Sequence, residues 1–142
     1  MADTGLQRFV SAQDSTYVQA LAEVRAGDKT SHWMWFVFPQ LAGLGRSPTA
    51  QFYGIADRAE ACAYLAHSVL GLRLREITGA MLAWAGRRSA TAILGSVDAL
   101  KFRSSMTLFE AVAEDPALFA QALDGFCDGQ RDPLTVRLLA TA

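Results

Sequence analysis

The sequence predicts an all-α fold, a single compact multihelical domain over residues 1–142, built from roughly seven or eight short helices joined by tight turns. Three observations predict it. Apolar residues recur at steps of three and four in one segment after another, and cap residues, glycines and prolines stand where such segments start and stop. Strand signals are poor: β-branched residues are sparse, clean period-two alternation is hard to find, and no Asn-Gly or Asp-Gly hairpin turn occurs. Finally, 142 residues with 51% hydrophobic and 19% charged content form a chain that can bury a core unaided.

The first periodic segment carries Tyr17, Ala20, Leu21 and Val24 behind the expected caps Asp14 and Ser15, and Gly27 closes it. Ser47-Pro48 places a cap before a proline at the first helical position. Asp57 with Glu60 three residues on is a capping-box-like start for a helix carrying Ala61, Tyr64 and Leu65. Leu70, Leu74, Ile77, Met81 and Trp84 mark a long amphipathic helix, and Phe102, Met106, Phe109 and Ala113 repeat its spacing. Asp115-Pro116 and Asp132-Pro133 each read as a cap followed by proline at the first helical position.

The ambiguous stretch is His32 to Phe38, with the apolar run Trp33–Phe38 at its centre. Pro39 decides part of it. Its ring clashes with the Trp35 carbonyl and pushes Phe38 out of the α region, so a helix here lasts little more than a turn and a half.

Composition narrows the function classes. Thirteen Lys+Arg against fourteen Asp+Glu give a net charge of −1, with no basic excess to hold a nucleic acid. Arg73, Arg75, Arg87 and Arg88 form no stripe with interleaved aromatics and read as a solvated face. Cys62 and Cys127 are expected as reduced, mostly buried thiols. With His32 and His67 as the only histidines, neither a Cys/His zinc cluster nor an HExxH pattern is present, and no metal or cofactor is expected. The opening residues MADTGLQRFVSAQD lack the basic and apolar stretches of a signal peptide, and no apolar run approaches the ~20 residues that span a bilayer. A soluble, cytoplasmic protein without membrane attachment is the expectation.

His32 lies just after Ser31, with Trp35 and Phe36 three and four residues on, so a helix places the imidazole beside an aromatic wall. His32 is then a candidate general acid/base or orienting group, with Trp33 or Trp35 stacking on a ligand ring. The plainer alternative is a core histidine between tryptophans. Gln40 stands past the helix break, where the freed carbonyls of Trp33 to Phe36 need partners. A ligand, another segment or water can supply them, and Gln40 either binds that ligand or bonds neighbouring backbone.

Gly45, Arg46 and Ser47 sit in a glycine-bearing turn feeding a helix start. They can hold a phosphate or carboxylate, or simply make a turn with a serine cap. The turn is neither a P-loop nor a dinucleotide fingerprint. Lys101 follows Asp98 by three and precedes Ser104 and Ser105 by three and four. The stripe reads as a surface Asp98–Lys101 pair, as a second polar wall of a pocket with Ser105, or as a serine–lysine dyad lacking its oxyanion motif.

The run Lys29-Thr30-Ser31-His32-Trp33-Met34-Trp35-Phe36-Val37-Phe38-Pro39-Gln40, followed by Gly43-Leu44-Gly45, resembles the family of proteins known as domain of unknown function 1810. Ala61 to Leu65, Leu70 to Leu74, Asp98 to Lys101 and Ser104 to Phe109 extend the resemblance over about residues 6–139. Val37 stands where isoleucine is common, and Phe102 where leucine is common. The resemblance implies a small all-α protein and carries no assigned reaction. Some members bear a calpastatin label, but calpastatin inhibitory segments are disordered until bound, whereas this composition belongs to a packed globule.

The expected function is binding of a small polar or anionic metabolite in an aromatic-walled pocket around His32–Gln40, with His32 available for acid/base chemistry. The alternative is a non-catalytic interaction domain in which Trp33, Trp35 and Phe38 form an exposed anchor. No nucleophile, metal set or carboxylate pair stands out, so the sequence assigns no reaction. It is silent on oligomeric state.

Overall fold

The order of elements follows the punctuation of the sequence closely. The computed structural model describes residues 5–141, and these form ten helices and no strand. They are α1 (Gln7–Asp14), α2 (Tyr17–Ala26), α3 (Met34–Val37), α4 (Pro48–Phe52), α5 (Arg58–Ala66), α6 (Leu70–Leu82), α7 (Ala90–Leu94), α8 (Ser96–Val112), α9 (Ala117–Phe126) and α10 (Pro133–Thr141). Seven have eight residues or more, and α3, α4 and α7 are single turns. A lone parallel bridge joins Leu41 to Ile55. No helix among the described residues is long and apolar enough to cross a membrane.

Three starts are capped as expected. Ser47 accepts from the Ala50 amide at 3.1 Å with Pro48 at the first position of α4. Asp57 accepts from the Glu60 amide at 2.9 Å, while the Glu60 carboxylate reaches past the cap to the Ala56 amide. Asp132 accepts from the Thr135 amide at 3.2 Å and its hydroxyl at 2.5 Å, opening α10 at Pro133. Asp115 is a variation: it accepts from the Ala117 amide at 3.1 Å, so Pro116 is the flanking residue of α9 rather than its first.

Asp14 and Ser15 do not cap α2. Asp14 is the last residue of α1 and pairs with Arg73 at 3.3 Å, and Ser15 bonds back to the Ala12 carbonyl. The backbone makes this junction, with the Thr16 amide on the Gln13 carbonyl at 3.0 Å, so no side-chain cap marks either helix end. At the other end of α2, Gly27 takes φ 72° and its amide and that of Asp28 close on Val24 and Glu23. A Cβ there would also stand 2.9 Å from the Trp84 ring.

α8 is the central beam, packed by α5, α7, α9 and α10, while α6 lies against α2, α5 and α9. Phe102, Met106 and Phe109 of α8 are fully buried. Around them run two aromatic chains, Phe9–Tyr64–Phe109–Phe119 and Trp33–Phe38–Phe102–Phe126, with ring centroids 5.1 to 6.3 Å apart. The long amphipathic helix ends at Leu82, two residues before Trp84, whose indole donates to the Val24 carbonyl at 2.9 Å.

Both cysteines are free thiols. Cys62 is exposed rather than buried, because Ala61, Tyr64 and Leu65 take the inward face of α5. Cys127 is half-buried, and burial pushes its thiol up.

Candidate functional site

The site grows from a buried carboxylate on α2. Glu23 is 5% exposed, on the same face as Ala20 and Val24. One of its oxygens accepts from the amides of Thr30 and Ser31 at 2.8 and 3.0 Å and from the Trp33 indole at 2.8 Å. The other accepts from the Ser31 hydroxyl at 2.6 Å and the Gln19 amide group at 2.8 Å. Burial alone would raise its pKa. The hydrogen bonds from Ser31, Gln19, Trp33 and the Thr30 backbone outweigh that cost and hold the carboxyl well below the usual carboxylate range.

This clamp decides which way the next residues point. Trp33 is drawn inward to 0% exposure, at a non-helical φ of −141° immediately before α3. His32 is thereby left exposed, and Trp35, on the far side of the short turn, is half-buried. His32 is therefore not a core histidine. Trp33 and Phe38 are core residues, so the expected exposed aromatic anchor does not exist.

Two lysines meet over these rings. The Lys29 amide bonds the Ile93 carbonyl at 2.8 Å, and its ammonium lies 5.1 Å from the Trp33 ring centroid. The Lys101 ammonium lies 3.7 Å from the centroid of Trp35. Both reach one carboxylate, Asp98 in the first turn of α8, at 2.8 Å for Lys29 and 3.3 Å for Lys101. The helix N-terminus favours that negative charge. Lys29, His32, Trp33, Met34, Trp35, Asp98 and Lys101 enclose a recess of about 70 Å³. That is the volume of roughly two waters, enough for a charged head group but not for a whole metabolite.

Of the expected site residues, then, His32, Trp33, Trp35 and Lys101 come together. Trp33 offers no free ring for a ligand, because it is buried, its indole is spent on Glu23 and Lys29 covers it. Ser105 does not join them. It is fully buried in α8 with its hydroxyl unpartnered, and Ser104 turns to Leu100 and Asp132. Since the Lys101 ammonium is engaged by Asp98 and Trp35, no serine–lysine dyad forms.

Gln40 lies beside the site rather than in it. With Trp35 and Gly45 it lines a crevice of about 10 Å³, at the lower limit for a single water. Its carbonyl accepts from the Ile55 amide at 2.8 Å. At the α3 break another segment supplies one of the partners. The Phe36 carbonyl accepts from Gln13 of α1 at 2.7 Å, and Gln13 also donates to the Tyr64 hydroxyl at 3.0 Å.

At the turn of Gly45, Arg46 and Ser47, Arg46 is exposed and the remaining contacts are those of a serine-capped helix start. The Ser47 hydroxyl is spent on the Ala50 amide, α4 has only five residues, and a Cβ on Gly45 would meet that of Ala50 at 2.8 Å.

Sequence reasoning missed Glu23 and Lys29. The signal for Glu23 was present: an acid on the apolar stripe of α2 has to be buried or to break the stripe.

A crystal structure of the conserved hypothetical protein Rv1873 from Mycobacterium tuberculosis shares this fold with a TM-score of 0.93. The two sequences are 48% identical, over 96% of this chain and 97% of that one. No curated protein matches the chain. Residues 3–139 match the family described as "Protein of unknown function (DUF1810)", and the chain belongs to that family.

Proposed function

We propose that the recess bounded by Lys29, His32, Trp35 and Lys101 binds the anionic head group, phosphate or carboxylate, of a small metabolite. The observation that carries this reading is the charge count: two ammonium groups converge on the single carboxylate of Asp98, beside an exposed imidazole. Each ammonium has three donors and gives one to Asp98, so donors and one surplus positive charge remain for an anion. The rings of Trp33 and Trp35 hold the lysines rather than the ligand. The rest of the metabolite lies outside the recess, whose volume admits only its head. His32 forms no hydrogen bond or ion pair among the described residues, which leaves it free to bond the head group and to pass a proton to it or take one from it.

The test is thermal denaturation of wild type, His32→Ala and Lys101→Ala with inorganic phosphate, phosphorylated metabolites and small carboxylates. An anion at a hundred times its dissociation constant stabilises by ~2.7 kcal/mol, which raises Tm by several degrees at this chain length. The rise should be lost in Lys101→Ala and reduced in His32→Ala. If no anion stabilises the wild type, or both variants respond as it does, the reading is wrong.

A further inference from the structure

A second cavity lies away from the recess, between α5, α6 and the α8–α9 connection. It has a volume of about 560 Å³, well inside the range of small-molecule sites. Its apolar side is formed by Leu65, Val112, Leu118 and Phe119. Three charged residues line it, Arg75 from α6 and Glu114 and Asp115 from the connection.

Neither Arg75 nor Glu114 is neutralised. Arg75 donates to the Leu65 carbonyl at 3.3 Å through one of its nitrogens and forms no ion pair among the described residues. Glu114 has no hydrogen bond or ion pair there either, whereas its neighbour Asp115 is occupied in capping α9. The guanidinium is also held in place at the end of α5. Gly71 has no side chain where the end of α5 meets α6; a Cβ there would stand 2.1 Å from the Leu65 carbonyl oxygen and 2.9 Å from an Arg75 nitrogen. The space Gly71 leaves is the one through which Arg75 reaches the end of α5.

A cation and an anion that line one groove without pairing, together with apolar side chains, complement a molecule carrying both charges and a hydrocarbon part. We infer that this groove binds an amphipathic zwitterion of the class of apolar amino acids and their dipeptides. The carboxylate would lie on the Arg75 guanidinium, the ammonium on Glu114, and the side chain against Leu118 and Phe119. The inference is independent of the anion reading of the recess.

Exposed Cys62 lines the same groove and reports on its occupancy. The experiment is titration calorimetry with L-leucine and L-leucyl-L-leucine, run beside the alkylation rate of Cys62 followed by peptide mass spectrometry. N-acetyl-L-leucine lacks the ammonium, L-leucinamide lacks the carboxylate, and glycine lacks the side chain. The zwitterions should bind and slow Cys62 alkylation, and each analogue should bind about ten- to a hundredfold more weakly. Arg75→Ala should erase the preference for leucine over leucinamide, and Glu114→Gln the preference for leucine over its acetyl derivative. Both side chains are exposed, so these variants keep the fold. Absence of binding, binding without protection of Cys62, or analogues and variants that bind like the parents would each overturn the inference.

Discussion

Replacing Glu23 by glutamine changes one oxygen for an amide nitrogen at the most heavily bonded side chain of the site. The wild-type carboxylate accepts five hydrogen bonds. A glutamine can keep its oxygen toward Thr30, Ser31 and the Trp33 indole and turn its NH2 toward the Ser31 hydroxyl and Gln19, which can reorient to accept. The bonds that survive fall from charge-assisted to neutral strength, a loss of about 1 kcal/mol each before relaxation. A net destabilisation of about 3 kcal/mol follows for Glu23→Gln, or ~10 °C in Tm at this chain length. The assay is urea denaturation followed by tryptophan fluorescence.

The pH dependence distinguishes a buried charge from a packing defect. The folded-state pKa of Glu23 is depressed below its ordinary value of 4.5, so its contribution is fully present above that pH. It is lost as pH falls toward the folded-state value, because the unfolded chain takes up the proton first. The stability gap between wild type and Glu23→Gln should therefore be constant from pH 7 to about pH 5. Below that it should shrink by up to about 1.4 kcal/mol per pH unit. A variant as stable as wild type at pH 7, or a gap that does not narrow in acid, would refute the reasoning.

Three further outcomes follow from single contacts. Ser105→Ala removes a buried hydroxyl with no partner, so chemical denaturation should show no loss and a gain of up to ~1 kcal/mol; a loss above ~1 kcal/mol would reveal a bond that the geometry lacks. Gly71→Ala forces the end of α5 away from α6, because the new Cβ would meet the Leu65 carbonyl oxygen at 2.1 Å, and it should cost about 3 kcal/mol by the same assay. Asp98→Asn removes the negative charge that Lys29 and Lys101 share; inorganic phosphate should bind about tenfold tighter by calorimetry while stability falls by ~1 kcal/mol, and weaker binding would speak against the anion reading.

How much of this was legible in the sequence depends on whether the determining contact is local. The caps Ser47, Asp57 and Asp132 act within three residues, so a short stretch of sequence suffices to place them. Gly27 is equally local, a left-handed stop at the end of α2. By contrast α1 has no side-chain cap at all. It is held by Phe9 against Tyr64 at 5.2 Å and by Gln13 against Phe36 and Tyr64, contacts spanning between 23 and 55 residues of chain. No window of sequence contains them. The same distinction runs through the site: the spacing of Asp98 and Lys101 on one helix was readable, but the meeting of Lys101 with Trp35 across 66 residues was not.

The recess also inverts the use that a tryptophan-rich segment suggests. Two tryptophans beside a histidine suggest rings presented to a ligand, yet here each ring carries a lysine. A lysine on a surface keeps several rotamers, and an anion that binds it has to freeze them. Set on an aromatic face and tied to Asp98, Lys29 and Lys101 are already restricted before any anion arrives. That arrangement lowers the entropic cost of binding and leaves the charge in place. On the proposed anion reading it also gives Glu23, which never lines the recess, a part in binding. By fixing the Trp33 indole at 2.8 Å it fixes the surface on which Lys29 rests, and it leaves His32 outside as the side chain still free to meet a ligand.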